Sequence, residues 1–146
     1  MDRDYKVVPA SARCAELLGV PQGTEVLERH FVFRSKGEAT QLSVSCYPYD
    51  LVKGTRVADP INEPWPGGNI AQLRTLGVSV TRVTEQVTNR PPEPEEADLL
   101  RLGAEDSVFA IVRRMFADGR PVEFADIVLP AEGLEIDYDV NIPQPE

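Results

Sequence analysis

Between residues 25 and 34 the chain reads EVLERHFVFR, with Leu27, Arg29, Phe31 and Phe33 on one face and His30, Val32 and Arg34 on the other. A period of two predicts a strand. Lys36-Gly37 follows as a hairpin turn, and residues 40–47 form the return strand. There Leu42, Val44 and Cys46 face one way, and Gln41, Ser43, Ser45 and Tyr47 the other. Upstream, Ser11 caps a short helix over 12–18 that Gly19 stops, and Pro21-Gln22-Gly23 makes a turn. Residues 48–68 are rich in proline, glycine and acidic side chains and read mostly as loop. Gly67-Gly68 opens a short helix over 69–76, stopped by Gly77. A long strand is predicted over 79–90, with Val83, Glu85 and Val87 sharing a face, until Pro91-Pro92 ends it. The run Glu93-Pro94-Glu95-Glu96 starts another helix, proline being tolerated and acids favoured in a first turn. That helix runs to about residue 102, where Gly103 stops it. A strand over 108–116, a turn at Asp118-Gly119 and a return over 121–129 follow. A last strand is expected over 134–140, before a frayed tail, NIPQPE.

The chain also echoes itself. Displaced by 82 positions, residues 15–48, AELLGVPQGTEVLERHFVFRSKGEATQLSVSCYP, fall without a gap on residues 97–130, ADLLRLGAEDSVFAIVRRMFADGRPVEFADIVLP. Identities are few, among them Leu17/Leu99, Val26/Val108, Gly37/Gly119 and Pro48/Pro130, but helix, turn, strand, tight glycine turn, strand and proline coincide. Two copies of one helix-hairpin unit imply a pseudo-twofold domain and not a solenoid. The simplest assembly is an α+β fold, one antiparallel sheet with short helices packed against it. The superposition pairs Phe31 with Arg113, Phe33 with Met115 and Gln41 with Glu123. Arg29 and Arg113 thus both sit amid large apolar groups. An arginine buried without a partner is costly, so each must reach a carboxylate, backbone carbonyls, water or a ligand. Glu85 and Glu123 are the plausible internal partners. A structural ion pair and a polar handle in a ligand pocket both fit the pattern.

Composition narrows the function. A chain of 146 residues with 42% hydrophobic and 27% charged side chains is long enough for one globular domain. A formal net charge of −9 opposes binding to nucleic acid or anionic membrane by this chain itself. No apolar run approaches a membrane span, and MDRDYKVV lacks the layout of a signal peptide. Cys14 and Cys46 form no CxxC, which suits buried small hydrophobes in a reducing, cytoplasmic setting. One histidine and two distant cysteines make no metal site, and no cofactor is expected. There is no P-loop, GxSxG elbow or HExxH. Gly67-Gly68 before a helix could offer N–H groups to an anion, a weak signal beside that of a flexible helix start. His30, opposite Phe31, reads as a surface or edge residue.

Taken in order, AELLGVPQGTEVLERHFVF, the hairpin at SKGEA, SCYPYDLVKGT, PGGNIAQLRTLG, VTRVTEQVTNRPPEPEEADLLRL and FADGRPVEFADIVLP carry a resemblance, extending from about residue 5 to 139, to the UTRA domain, the effector-binding half of GntR-type transcription regulators of the HutC subfamily. The resemblance implies a chorismate-lyase-like fold, a small-molecule effector, a homodimer, and DNA contact only through a separate N-terminal winged-helix domain, making this chain a fragment. It also implies the site. Two alternating arginines of relatives that bind sugar phosphates fall on Phe31 and Phe33 here, a glutamate of the return strand on Ser43, and a serine at the helix start on Gly68. The glutamate after Pro-Val is kept as Glu123, and a tyrosine becomes Leu129. Phenylalanine cannot replace the bidentate hydrogen bonds of an arginine fork to phosphate. The expected pocket therefore takes an apolar or aromatic effector with one or two polar anchors, not a phosphosugar. Arg29, Phe31, Phe33, Ser43, Ser45, Gly68, Glu85, Arg113 and Glu123 are the candidate ligand-binding residues, and no catalytic residue is expected. Two rivals stay open: a lyase acting on an aromatic carboxylic acid on the same fold, and a ligand-free dimerisation module whose pocket Phe31 and Phe33 plug.

Overall fold

The computed structural model describes residues 1–63 and 68–145. Six strands form one antiparallel sheet: β1 (Asp2–Pro9), β2 (Glu25–Ser35), β3 (Glu38–Pro48), β4 (Arg82–Arg90), β5 (Val108–Ala117) and β6 (Arg120–Pro130). Their spatial order is β1-β2-β3-β6-β5-β4, so β1 and β4 are the edges and the β3–β6 seam is the centre.

The predicted echo is present to the residue. At the seam Val44 lies opposite Asp126, its own counterpart at the 82-residue displacement, so the pseudo-twofold axis passes through that pair. Applied to the other pairings, the same displacement carries Tyr5↔Arg29 onto Val87↔Ile111 and Val26↔Pro48 onto Val108↔Pro130. The register slips between Phe33 and Arg34 in one half and between Met115 and Phe116 in the other, again equivalent positions. Both hairpins turn through two residues at positive φ, Lys36-Gly37 (53° and 81°) and Asp118-Gly119 (51° and 74°). Such turns match the right-handed twist of the flanking strands.

Helix α1 (Ala12–Leu18) begins on Ser11, whose side chain accepts from the Cys14 N–H, and ends on Gly19 at φ 65°. It buries Cys14, Ala15 and Leu18 against Val26, Cys46 and Phe124. Burial pushes both thiols up, and the pair behaves as the small hydrophobes predicted. The equivalent helix, α4 (Pro94–Leu100), lies on the same face and buries Leu100 against Val108 and Val128. It opens with a capping box in which the Glu93 and Glu96 side chains each accept from the other's backbone N–H. Glu96 also accepts two hydrogen bonds from Arg90, at 2.7 and 3.0 Å. That guanidinium holds the Glu96 carboxyl below its ordinary range. A folded-state value below the unfolded one means stability present above the usual glutamate pKa and lost as pH falls through the lowered value. Glu96→Gln should therefore cost about 0.5–1.5 kcal/mol in urea unfolding at pH 7, a difference that fades as pH falls below the ordinary glutamate range and through the lowered value.

Four expectations need correction. The strand expected over 79–90 starts at Arg82, because Val78 and Val80 turn inward against the cluster around Leu73 and Met115. Helix α4 ends at Leu100 with Arg101 as its left-handed cap, so the stop comes before Gly103. Residues 49–63, read mostly as loop, hold a short helix α2 (Tyr49–Val52) and two 3-10 turns, Arg56–Ala58 and Pro60–Asn62. No strand forms over 134–140, since β6 is an inner strand with both neighbours already in place. The pattern reading also passed over β1, an edge strand exposed at six of its eight positions, whose run Asp2-Arg3-Asp4 carries no alternation.

Candidate functional site

The face opposite α1 and α4 carries the odd-numbered residues of β2 and β3. Segment 49–63 and helix α3 (Gly68–Arg74) cover half of it, burying Leu27, Tyr47, Val52, Val57, Leu73 and Met115 in one cluster. Gly67, half of the Gly-Gly pair singled out above, lies outside the described residues. Gly68 has φ 66°, a conformation that favours glycine, which explains the residue without an anion.

Arg29 is the centre of this cover, and its side chain is fully buried. Its NH1 donates to Gln72 Oε1 at 2.8 Å, Glu63 Oε1 at 3.2 Å and the Val57 carbonyl at 3.4 Å. Its NH2 donates to Asn69 Oδ1 at 2.9 Å and the Tyr47 hydroxyl at 3.3 Å. The guanidinium also lies 4.9, 5.4 and 5.5 Å from the ring centres of Tyr47, Phe31 and Tyr5. Gln72 in turn donates to Glu63. Arg29 is thus the bolt that fixes the covering segment to the sheet. Burial, then the charge of Glu123, raises the Tyr47 hydroxyl well above its ordinary value, so it remains a hydrogen-bond donor. Burial also raises Tyr5, against the pull of Arg29.

A second buried charge adjoins the first. Glu123, fully buried on β6, accepts from Arg113 NH2 at 2.9 Å and from Ser45 Oγ at 3.1 Å. Asn69 Nδ2 also donates to Glu123, while Asn69 Oδ1 accepts from Arg29. One amide therefore joins the two buried charges and both halves of the domain. The Nε atoms of Arg29 and Arg113 are buried with no hydrogen bond among the described residues.

Above this network lies a cavity of about 270 Å³. Phe31, Phe33 and Ile127 form its apolar wall, and Gln41, Ser43, Ser45, Glu63, Asn69 and Arg113 supply polar groups, with Met1 and Gly68 at its margin. Phe31 meets Phe33 with ring centres 5.9 Å apart and Tyr5 edge-on at 5.9 Å. Six of the nine candidate residues, Phe31, Phe33, Ser43, Ser45, Gly68 and Arg113, line this cavity. Arg29 and Glu123 lie beneath it, holding its floor. Glu85 does not belong to it: it stands exposed on the edge strand β4, opposite Arg113 in register, while Glu123 takes the arginine. Asn69, Gln72 and Glu63 escaped the sequence reading because they come from a stretch without periodicity. Tyr47 carried a signal, sharing its face of β3 with Ser43 and Ser45. The cavity sits where the echo breaks, since Phe31 and Gln41 stand in one half where Arg113 and Glu123 stand in the other.

A larger hollow, about 570 Å³, lies on the opposite face between α1 and α4. Two ion pairs lie along it: Arg13 makes two 2.7 Å hydrogen bonds to Asp126, and Arg90 holds Glu96, while Glu95 stands exposed at its margin. His30 lies there, 3.0 Å from Glu28. Among the described residues there is no cluster of three potential metal ligands and no helix long and apolar enough to cross a membrane.

Comparison with known proteins places this architecture. The chain is 34% identical over 138 residues to an HTH-type transcriptional regulator of Streptomyces coelicolor, covering 93% of this chain and 51% of that protein. It spans about half the length of the curated relatives it matches. A crystal structure described as that of a GntR-family transcriptional regulator superposes with a TM-score of 0.87 at 34% identity, over 97% of this chain and 58% of the other. The crystal structure of a ligand-binding domain, from a protein of Bordetella bronchiseptica described as a GntR-family regulator, shares the fold at 17% identity and a TM-score of 0.81, over 96% and 92% of the two chains. The model of the UTRA domain family matches residues 3–135, and with it the chain belongs to the UTRA family, the α+β domain found in GntR-family transcriptional regulators.

Proposed function

We propose that this domain is the effector sensor of a bacterial transcription regulator of the HutC type. A small molecule binds in the 270 Å³ cavity, and its binding changes how a separate winged-helix domain reads DNA. The observation that carries this reading is the composition of that cavity: a phenylalanine wall facing a few fixed polar groups, the usual make-up of a small-ligand site. The volume is slightly below the roughly 300–1,000 Å³ typical of such sites, so the effector is compact. An aromatic or aliphatic body packs on Phe31, Phe33 and Ile127. A carboxylate or carbonyl accepts from Arg113, Ser43 or Asn69. Phosphosugars are disfavoured, because Arg113 already shares its charge with Glu123 and the wall offers no second arginine.

Asn69 gives the site a route to the rest of the domain. A ligand that draws on its amide competes with Arg29 and Glu123 and so shifts the balance between two placements of the covering segment. In a cytoplasmic homodimer that shift alters the spacing of the DNA-reading domains. Among the described residues Arg113, Ser45 and Asn69 all donate to Glu123, an arrangement that suits a fixed floor better than an acid–base pair.

A thermal-shift screen across phosphosugars, aromatic carboxylic acids and short fatty acids tests this. Stabilisation by aromatic or aliphatic acids is expected, about 2.7 kcal/mol at a hundredfold excess over Kd, and it should vanish in Arg113→Ala. Stabilisation by phosphosugars alone would contradict the effector class, and turnover of an aromatic acid would establish the enzyme instead.

A further inference from the structure

The hollow of about 570 Å³ between α1 and α4 stands apart from the cavity at Phe31, on the other face of the sheet. Its volume lies inside the roughly 300–1,000 Å³ range of small-molecule sites. Two rows of side chains, adjacent across the sheet, form its floor. One runs His30, Val44 and Asp126, the other Val32, Leu42, Val128 and Ala110. Helices α1 and α4 have seven residues each and leave the middle of the sheet open, so that Val32, Leu42, Val44 and Ala110 are only half-buried. Leu99 stands on the α4 wall, 39% exposed. We infer that this hollow is a second ligand site and takes an amphipathic cation, an aliphatic or aromatic body carrying an ammonium group.

The sign of the charge follows from a break in the symmetry of the two halves. The 82-residue displacement carries α1 onto α4 end to end, Ala12–Leu18 onto Pro94–Leu100, and sets Arg13 on Glu95. At the seam it exchanges Val44 and Asp126. Arg13 is therefore matched by Asp126 on the sheet, with two 2.7 Å hydrogen bonds. At the place equivalent to Asp126, Glu95 has Val44, which cannot pair with a charge. Glu95 accordingly lines the hollow with no hydrogen bond or ion pair among the described residues.

The surroundings agree in sign. Glu95, Glu96 and Asp126 line the hollow against Arg13 and Arg90, three carboxylates to two guanidinium groups. A net charge of −9 over the chain draws cations in and repels anions. Glu95 and Leu99 lie one turn apart on α4, both toward the hollow. A ligand can thus lay its apolar body over Leu99 and the valine floor and bring an ammonium group to Glu95. The cavity at Phe31 offers Arg113 instead, so the two faces of the sheet select opposite charges.

Calorimetric titration and methyl NMR with octylammonium, and with octanoate as its match in chain length, test this on the parent, Glu95→Gln and Glu95→Lys. Glu95 is exposed and bonded to nothing, so neither change disturbs the fold. Octylammonium should bind the parent one-to-one, move the methyl signals of Val32, Leu42, Val44 and Leu99, and weaken as salt is added. Its affinity should fall about tenfold in Glu95→Lys and by less in Glu95→Gln. Octanoate should leave those methyl signals in place. Absence of octylammonium binding overturns the inference, as does binding that Glu95→Lys leaves unchanged. Octanoate acting on the same methyl groups, or octylammonium acting at Phe31 and Phe33 instead, overturns it too. A failed acid screen at the Phe31 cavity would leave the result standing, since the two sites share no anchor.

Discussion

Arg29→Ala should lower the unfolding free energy by about 3–5 kcal/mol, read from the shift in urea midpoint. The loss is large because the side chain is fully buried and its five hydrogen-bond acceptors come from four separate parts of the chain. Its removal takes the guanidinium from Glu63 and leaves the side-chain carbonyl groups of Gln72 and Asn69 short of a donor. Against a typical total of about 5–15 kcal/mol, this takes a large share of the stability of a domain of this size. Arg29→Lys should recover little, since one ammonium cannot reach acceptors that lie around a planar fork. If the alanine variant unfolds at the parent's midpoint, Arg29 does not fix the covering segment.

Glu123→Ala should cost a comparable amount, about 3–5 kcal/mol, and should also abolish the thermal stabilisation by small acids on which the proposed function rests. The carboxylate is fully buried and joins three strands and α3: Arg113 on β5, Ser45 on β3 and Asn69 on the helix all donate to it from around β6. Without it the Arg113 guanidinium, 22% exposed, turns toward the cavity or solvent, and the polar side of the site loses its arrangement. Arg29 and Glu123 are linked through one amide, so their losses should not add. A double-mutant cycle should give a coupling of about 0.5–3 kcal/mol, and replacing Asn69 with leucine should remove it. Additive losses would show that the two charges are independent.

The two halves and their tight turns were open to reading because hairpins announce themselves locally. Strands β2, β3, β5 and β6 show alternation, their turns need glycine, and their helices carry caps, so the echo at 82 residues makes the two helix-hairpin units legible, while the order of the strands and the β3–β6 seam are not. Edges were harder. Strand β1 is half-wet and its pattern weak, while 134–140 has a strong pattern and no partner within the chain. The site divided along the same line. Phe31, Phe33, Ser43, Ser45 and Arg113 lie on regular strands, where parity tells which way a side chain points. Glu63, Asn69 and Gln72 reach the site from a non-periodic cover, whose path depends on the arginine it closes over. Glu85 shows the limit of parity: it shares a face and a register position with Arg113, yet at an edge it meets solvent first.

The seam at Val44 and Asp126 also sets the order in which the domain assembles. Within each half, every strand neighbour is close in sequence and can zip up early. Only β3 and β6, whose paired residues lie about 80 positions apart, demand that a long stretch of chain be gathered first. Two hairpin units are therefore expected to form as separate kernels, with their joining along five residue pairs as the slow step.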